Sequence, residues 1–397
     1  MQVVTRALQR LREHLGLDIA YIGELEGNEL IVRAVCAPDL DMDLPEPLIL
    51  PRDHSFCHFM QSGQIPQIVH DSATNPITVD LPSRHAFNIQ SYIGVPLQRE
   101  DGSNYGTICC IGHEANTSLN ERDLRSIKLF AEIIIGQIDG ELEDRRVAEE
   151  RFNRIRSTID TRAFSMRFQP LVSLHGDGIK GFEALCRFDE TPYRTPDLWF
   201  GEAALAGLGV EMELVAVKDA LRALNVIPSH QSITLNVSPD CLMSEGLSDV
   251  LFDVQAERVI LEITEHAEVA NYAGLSKHIE RYKSQGVSLA VDDAGAGYSS
   301  LSHIVRLKPD IIKLDMSLTR DVDKDPIRQA LASALVFFAT GAKADIVAEG
   351  IETAGEARTL TDLGVTYGQG FHFSKPLTLE DTVAFSERYE LKRSSGF

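Results

Sequence analysis

Asp292 and Asp293 stand side by side at the end of a short apolar run, Val287–Val291. The run is short and partly β-branched, and reads as a buried strand. The glycines after it, Gly295 and Gly297, let the backbone turn sharply, and Ser299 or Ser300 can cap a following helix. Neighbouring side chains of a strand point to opposite faces, so two aspartates share one site only where strand gives way to loop. Burying two unpaired carboxylates is expensive, and a divalent cation held between them offsets that cost. The alternative reading of Asp-Asp-x-Gly is a solvated turn.

The residues around this stretch bear on the choice. Beyond Arg162 short apolar strands alternate with helical segments, the pattern of an α/β barrel or a doubly wound sheet. Strand after strand ends in a polar group. Ile179–Phe182 ends in Glu183, Ile233–Leu235 in Asn236, and Val259–Leu261 in Glu262. Ile311 and Ile312 precede Lys313, Ile346–Ala348 ends in Glu349, and Val365 leads to Gln369. In a barrel all of these lie on the carboxyl rim, where active sites are built. Carboxylates with one amide oxygen are hard donors suited to Mg²⁺ or Mn²⁺, whereas zinc calls for Cys or His. Two such ions sharing Asp292 would clamp a phosphate ester. Lys313, a lone base among acids, could neutralise developing charge or take a proton.

Composition bounds the setting. A chain of 397 residues with 44% hydrophobic content predicts two or three domains with sizeable cores. A formal net charge of −21 argues against nucleic-acid polymers and anionic membrane surfaces as partners. The opening helix-like stretch carries Arg6, Arg10, Arg12 and Glu13 and does not read as a secretory signal. The apolar stretch Leu331–Ala342 is too short to span a bilayer. Cys36, Cys57, Cys109, Cys110, Cys186 and Cys241 show no CxxC spacing, so they read as reduced thiols of a cytoplasmic protein.

The amino-terminal pattern is a helix, a strand pair around Glu26-Gly27-Asn28, a helix from Ser55, a short strand, and a hairpin around Glu100-Asp101-Gly102-Ser103. With Ser55-Phe56-Cys57-His58, His70-Asp71, Tyr92–Leu97 and Gly106-Thr107-Ile108, this order resembles a GAF domain over roughly the first 140 residues. Such domains hold a small ligand in some proteins and serve as dimerising spacers in others. Cys57-His58 is read as packing. A helix then runs from the N-cap Asn120 to about Asp160. Leu124, Ala131, Ile138, Phe152 and Ile159 fall at heptad spacing, broken at Arg145, with Ile127, Ile134, Ala148 and Ile155 on a second seam, broken at Glu141. That spacing predicts a parallel homodimer, although the first half also suits a helix packed on its own domain.

The carboxy-terminal motifs resemble the EAL family of cyclic di-GMP phosphodiesterases. They are Phe168-Gln169-Pro170, Gly181–Arg187, Leu235–Ser238, Leu261–Glu265, Asp292-Asp293, Gly297–Leu301, Lys313-Leu314-Asp315, Ala348–Thr353 and Gln369-Gly370-Phe371. The resemblance implies a (β/α)8 TIM-like barrel over 161–397, joined by a helix at 141–160 to the antiparallel α+β GAF domain at 1–140. It implies two catalytic Mg²⁺ or Mn²⁺ ions, one held by Glu183, Asn236, Glu262 and Asp292, the other by Asp292, Asp293 and Glu349. It gives Lys313 and Gln369 the task of orienting water or substrate, and has Glu265 brace the loop after Asp293. Gln169, Arg187, Asp315 and Glu352 would contact cyclic di-GMP, with Arg187 on a phosphate. The chain departs from the family at Ala294, Ala296 and Ala204, none of which removes a predicted ligand. The expected function is metal-dependent hydrolysis of cyclic di-GMP to pGpG under control of the GAF domain. The main rival is an EAL module that binds the dinucleotide and signals through a partner.

Overall fold

A computed structural model of the protein describes residues 2–38, 48–176, 178–189, 193–264, 271–294 and 300–394. The contacts divide the chain into two compact units, Met1–Val147 and Ala148–Phe397.

The first unit opens with α1 (Gln2–Leu15), then β1 (Ile19–Glu26), β2 (Glu29–Cys36), β3 (Leu48–Pro51) and α2 (Phe56–Gln61). It continues through β4 (Ile68–Val69), α3 (Pro82–Ala86), β5 (Ser91–Gln98) and β6 (Asn104–Gly112) to α4 (Glu121–Thr161), whose residues from Ala148 on belong to the second unit. The strands form an antiparallel sheet in the order β3-β2-β1-β6-β5-β4. Its two faces follow the period of the strands. Ile108 and Cys110 of β6 join Leu8 and Leu11 of α1 and Ile127 and Ile134 of α4 in one core. Cys109 and Ile111, alternating with them, face Phe56, Cys57 and Tyr92 in the other.

Asn120 caps α4 as expected. Its side-chain oxygen accepts from the Arg122 N–H at 2.9 Å, and Asp123 accepts from the Asn120 N–H at 3.0 Å. The heptad seam is divided along the helix. Leu124, Ile127, Ala131 and Ile134 are buried in the core of their own unit, which turns that part of the seam inward. The large apolar side chains left outside on this half are Leu129, 58% exposed, and Ile133, 62% exposed.

The second unit comprises β7 (Ser165–Ser173), β8 (Ile179–Arg187), α5 (Pro196–Leu205), α6 (Gly209–Ala220), β9 (Ser232–Asn236), α7 (Pro239–Leu242) and α8 (Glu245–Phe252). After these come β10 (Val259–Thr264), α9 (Tyr272–Ser284), β11 (Ser288–Ala294), α10 (Ser300–Leu307), β12 (Ile311–Leu314) and α11 (Met316–Thr319). It ends with α12 (Pro326–Ala342), β13 (Asp345–Ala348), α13 (Ala354–Asp362), β14 (Tyr367–Gly368) and α14 (Leu379–Ser394). The strands close into a barrel in the order β10-β11-β12-β13-β14-β7-β8-β9. One strand is reversed. β7 runs antiparallel to both β8 and β14, while the other neighbours are parallel. The cause is the connection: Gly176 and Gly178, at φ of 88° and 101°, turn β7 straight into β8 with no crossover helix.

Outward residues of the strands, among them Phe182, Leu235, Leu261, Val291, Ile312 and Ile346, pack beneath the helices in the main core. Inward ones are fewer. Leu171, Ile260, Ala290, Ile311 and Val347 fill the barrel interior as a plug, with Tyr367 against them.

Candidate active site

The strands carry a second inward layer one dipeptide beyond the plug. Two residues on from Ile260, Ala290, Ile311, Val347 and Tyr367 stand Glu262, Asp292, Lys313, Glu349 and Gln369. On the reversed β7 the count runs backwards, from Leu171 to Gln169, which lies opposite Glu183 in register. Asn236 lies opposite Glu262. Side chains alternate with a period of two, so a strand that puts an apolar residue in the plug must point its next inward residue towards the carboxyl end. Glycine keeps the last strand close: Gly370, at φ 151°, has no Cβ to strike the Ile351 carbonyl carbon, which a Cβ would meet at 2.8 Å.

The layer converges on Lys313. Its ammonium lies 2.5 Å from Glu349, 2.6 Å from Glu262, 3.4 Å from Glu183 and 3.6 Å from Asp292. Glu183 is held from the other side. It accepts from Asn236 Nδ2 at 2.9 Å and Gln369 Nε2 at 2.6 Å. Gln369 Nε2 also donates to Gln169 Oε1 at 3.0 Å, and Gln169 Nε2 to the Ser374 carbonyl at 3.2 Å. Lys313 and Glu262 are each 1% exposed.

Burial and charge compete here. Burial pushes Lys313 towards neutrality, but the carboxylates around it win and hold it well above its ordinary range. Glu183 stays below the ordinary carboxylate range: burial acts against it, and Lys313, Gln369 and Asn236 outweigh that. Glu262 is pushed well up by burial and by the other carboxylates. Glu349 is pushed up to about 8, again mainly by burial.

A cleft of about 700 Å³ opens over this layer, lined by Glu183, Asn236, Glu262 and Asp292 together with Arg187 and Phe200. The Arg187 guanidinium donates to the Cys186 carbonyl at 2.7 Å. Glu213 of α6 also lines the cleft, where it accepts from the Ser238 N–H at 2.8 Å, and burial raises its pKa. Sequence reading did not single it out, because a glutamate within a helix carries no local signal. Two expected contacts have other partners. Asp315 caps α11 by accepting from the Ser317 N–H at 3.0 Å, and Glu352 forms an ion pair with Arg320. Asp293 lies on β11 next to Asp292, with its side chain outside the described residues. Glu265 and Ala296 lie outside them entirely, Ala294 is buried, and Ala204 is exposed on α5.

The donor set fits a divalent cation. Oxygens of Glu183, Glu262 and Glu349 all lie within 4.8 Å of one another. Opposed oxygens around an octahedral Mg²⁺ stand about 4.2 Å apart, twice the usual bond length, so the spacing is close to a ligand shell. Glu262 Oε2 and Gln369 Oε1 are buried without a hydrogen-bond partner, and buried acceptors of that kind call for a cation or water.

Residues 153–376 match the EAL domain family, and residues 2–135 match the GAF domain family. The probable cyclic di-GMP phosphodiesterase PdeB of Escherichia coli K12 is 32% identical over 248 residues, which is 60% of this chain and 47% of that protein. Among solved structures, the EAL domain protein from Listeria monocytogenes EGD-e aligns with a TM-score of 0.53 at 27% identity, covering 59% of this chain and 96% of that one. The PaMucR phosphodiesterase in complex with c-di-GMP aligns at 0.53 and 26%, covering 59% and 99%. The chain spans between about a third and a half of the length of the curated relatives it matches first, at 47%, 34% and 34%.

Proposed function

The chain belongs to the EAL domain family, and from that premise we propose that it hydrolyses one phosphodiester bond of cyclic di-GMP to give linear pGpG, in a reaction that needs divalent metal. The observation that carries this reading is the convergence of four carboxylates on one buried lysine at the carboxyl end of the barrel, beneath an open cleft. Glu183, Asn236, Glu262 and Asp292 would hold one ion, and Asp292, Asp293 and Glu349 a second. When bound, such ions neutralise phosphate charge and acidify the attacking water.

The chain's own residues do the rest. A lysine kept protonated by its neighbours is a hydrogen-bond donor, which favours orienting water and countering charge over accepting a proton. Asn236 and Gln369 fix the Glu183 carboxylate by donating to it, so both of its oxygens keep one orientation. Gln169 anchors Gln369 in turn. Arg187, on the cleft wall, suits a phosphate oxygen, and Asp315 and Glu352 would meet the substrate from the loops after β12 and β13. Glu265 would brace the loop after Asp293.

The GAF-matching unit is proposed to regulate this activity through a small ligand of its own, with the protein acting in the cytoplasm as a homodimer. The exposed Leu129 and Ile133 on α4 support pairing through that face. The deciding experiment incubates the purified protein with cyclic di-GMP and Mg²⁺ or Mn²⁺, with and without chelator, and separates the nucleotides. Chelator-sensitive conversion to pGpG is expected. Binding in Ca²⁺ with no product under either metal would leave the rival, a binding module that signals through a partner.

A further inference from the structure

Two cysteines, 52 positions apart in the chain, meet inside the first unit. Cys57 Sγ and Cys109 Sγ lie 3.4 Å apart, and both residues are fully buried. Each sulfur has a tyrosine hydroxyl on it: Tyr21 Oη stands 3.1 Å from Cys57 and Tyr92 Oη 3.1 Å from Cys109. The pocket depends on an absent side chain. A Cβ on Gly94, which is paired with Cys109 across β5 and β6, would strike the Tyr92 hydroxyl and come within 2.9 Å of Cys109 Sγ. The neighbouring Cys110 takes no part, because strand alternation sends it to the opposite face of the sheet.

We propose that Cys57 and Cys109 form a peroxide-oxidisable thiol pair that closes to an internal disulfide tying α2 to β6. The sulfurs need to approach from 3.4 Å to about 2.05 Å, a movement of roughly 1.4 Å that side-chain rotation and a small shift of the six-residue α2 can supply. The two thiols differ in the way a stepwise oxidation needs. Hydrogen bonding from Cys109 outweighs burial and, with the hydroxyls of Thr107, Tyr21 and Tyr92, brings Cys57 down to about 7. Burial and the nearby Cys57 push Cys109 well up. An apolar cavity of about 50 Å³ lies nearby, walled by Tyr21, whose hydroxyl rests on Cys57, and by Phe56, its chain neighbour; neither sulfur lines it, so oxidation requires local opening around Cys57. Cys57, the chain neighbour of the cavity-lining Phe56, is taken as the attacking sulfur and Cys109 as the resolving one.

The chemistry balances with a hydroperoxide as oxidant. The Cys57 thiolate attacks one peroxide oxygen, an S–O bond forms, the O–O bond breaks, and the departing oxygen takes the proton Cys57 gave up. Cys109 then attacks the Cys57 sulfur, an S–S bond forms, the S–O bond breaks, and the hydroxyl leaves as water with the Cys109 proton. Two electrons pass from the two sulfurs to the peroxide, and a dithiol reverses the reaction.

The test uses the full chain and hydrogen peroxide. The treated protein is denatured, alkylated, digested and read by mass spectrometry. We expect a peptide pair joined through Cys57 and Cys109, short of two hydrogens and restored by dithiothreitol, while Cys110 remains alkylatable. Cys109→Ser should trap Cys57 as a sulfenic acid that a dimedone probe labels. Cys57→Ser should slow loss of the Cys109 thiol by about tenfold or more. Treated wild-type protein in which Cys57 and Cys109 both remain alkylatable, or in which Cys57 is joined to a different cysteine, would overturn the proposal; neither result depends on a variant folding.

Discussion

Replacing Lys313 with methionine separates the two tasks proposed for it. Methionine keeps most of the length and volume of the side chain and removes the ammonium. In the metal-free protein Glu183, Glu262, Asp292 and Glu349 then lose the cation that lies 2.5–3.6 Å from them. Removing one partner of a buried ion pair costs about 3–5 kcal/mol, because the other charge is left uncompensated. Protonation softens the loss. Glu349 is already pushed up to about 8, so at neutral pH it carries little of its charge, and the cost falls towards the lower figure. For a domain of this size that corresponds to a drop of the order of 10 °C in melting temperature. A divalent cation can take the place of the missing charge, and at a hundredfold over its Kd it returns about 2.7 kcal/mol. The assay is urea unfolding of the variant and the wild type in chelator and in Mn²⁺, alongside kcat. We expect stability to be lost in chelator and recovered in Mn²⁺, while turnover stays at least about a hundredfold down, the usual lower range for a positioned group. A variant that loses less than about 1 kcal/mol in chelator refutes the counter-charge role. One that turns over within about tenfold of wild type in Mn²⁺ refutes the positioning role.

Glu183→Ala should reduce turnover by several orders of magnitude, and it should also cost about 1–3 kcal/mol in urea unfolding, because the buried Gln369 amide loses one of its two acceptors and Lys313 loses a counter-charge. An unchanged unfolding midpoint would mean those two contacts contribute nothing. Ile134→Asp buries a charge in the core of the first unit and should lower its melting temperature. Leu129→Asp with Ile133→Asp lies on the exposed face of α4 and should leave that unit folded while dissociating the dimer; light scattering that finds wild type monomeric at micromolar concentration removes the dimer altogether. Gly94→Ala should destabilise the first unit by about 1–3 kcal/mol through the clash with Tyr92 and Cys109, measured by the unfolding of that unit in denaturant.

Much of the barrel was legible in the chain itself, because a strand imposes a period of two on its side chains. A polar residue that follows a buried apolar run has few places to go, and Glu183, Asn236, Glu262, Asp292, Lys313, Glu349 and Gln369 were each readable in that way before any distance was known. The extent of α4 and its Asn120 cap were equally local, resting on the first-turn hydrogen bonds and on the absence of proline, with Gly136 and Gly140 carried inside the helix. What the chain could not disclose depends on closure. The reversal of β7 follows from a tight turn at Gly176 and Gly178, and it is what sets Gln169 opposite Glu183. Heptad spacing says that Ile127 and Ile134 are buried, but it does not say against what; the sheet of their own unit answers that. Whether Lys313 is protonated turns on the difference between a large burial penalty and a larger attraction, and both depend on separations of a few ångströms between five strands. Cys57 and Cys109 are ordinary thiols in the sequence and neighbours only in the fold, since a period can choose a face but only packing chooses what stands across from it.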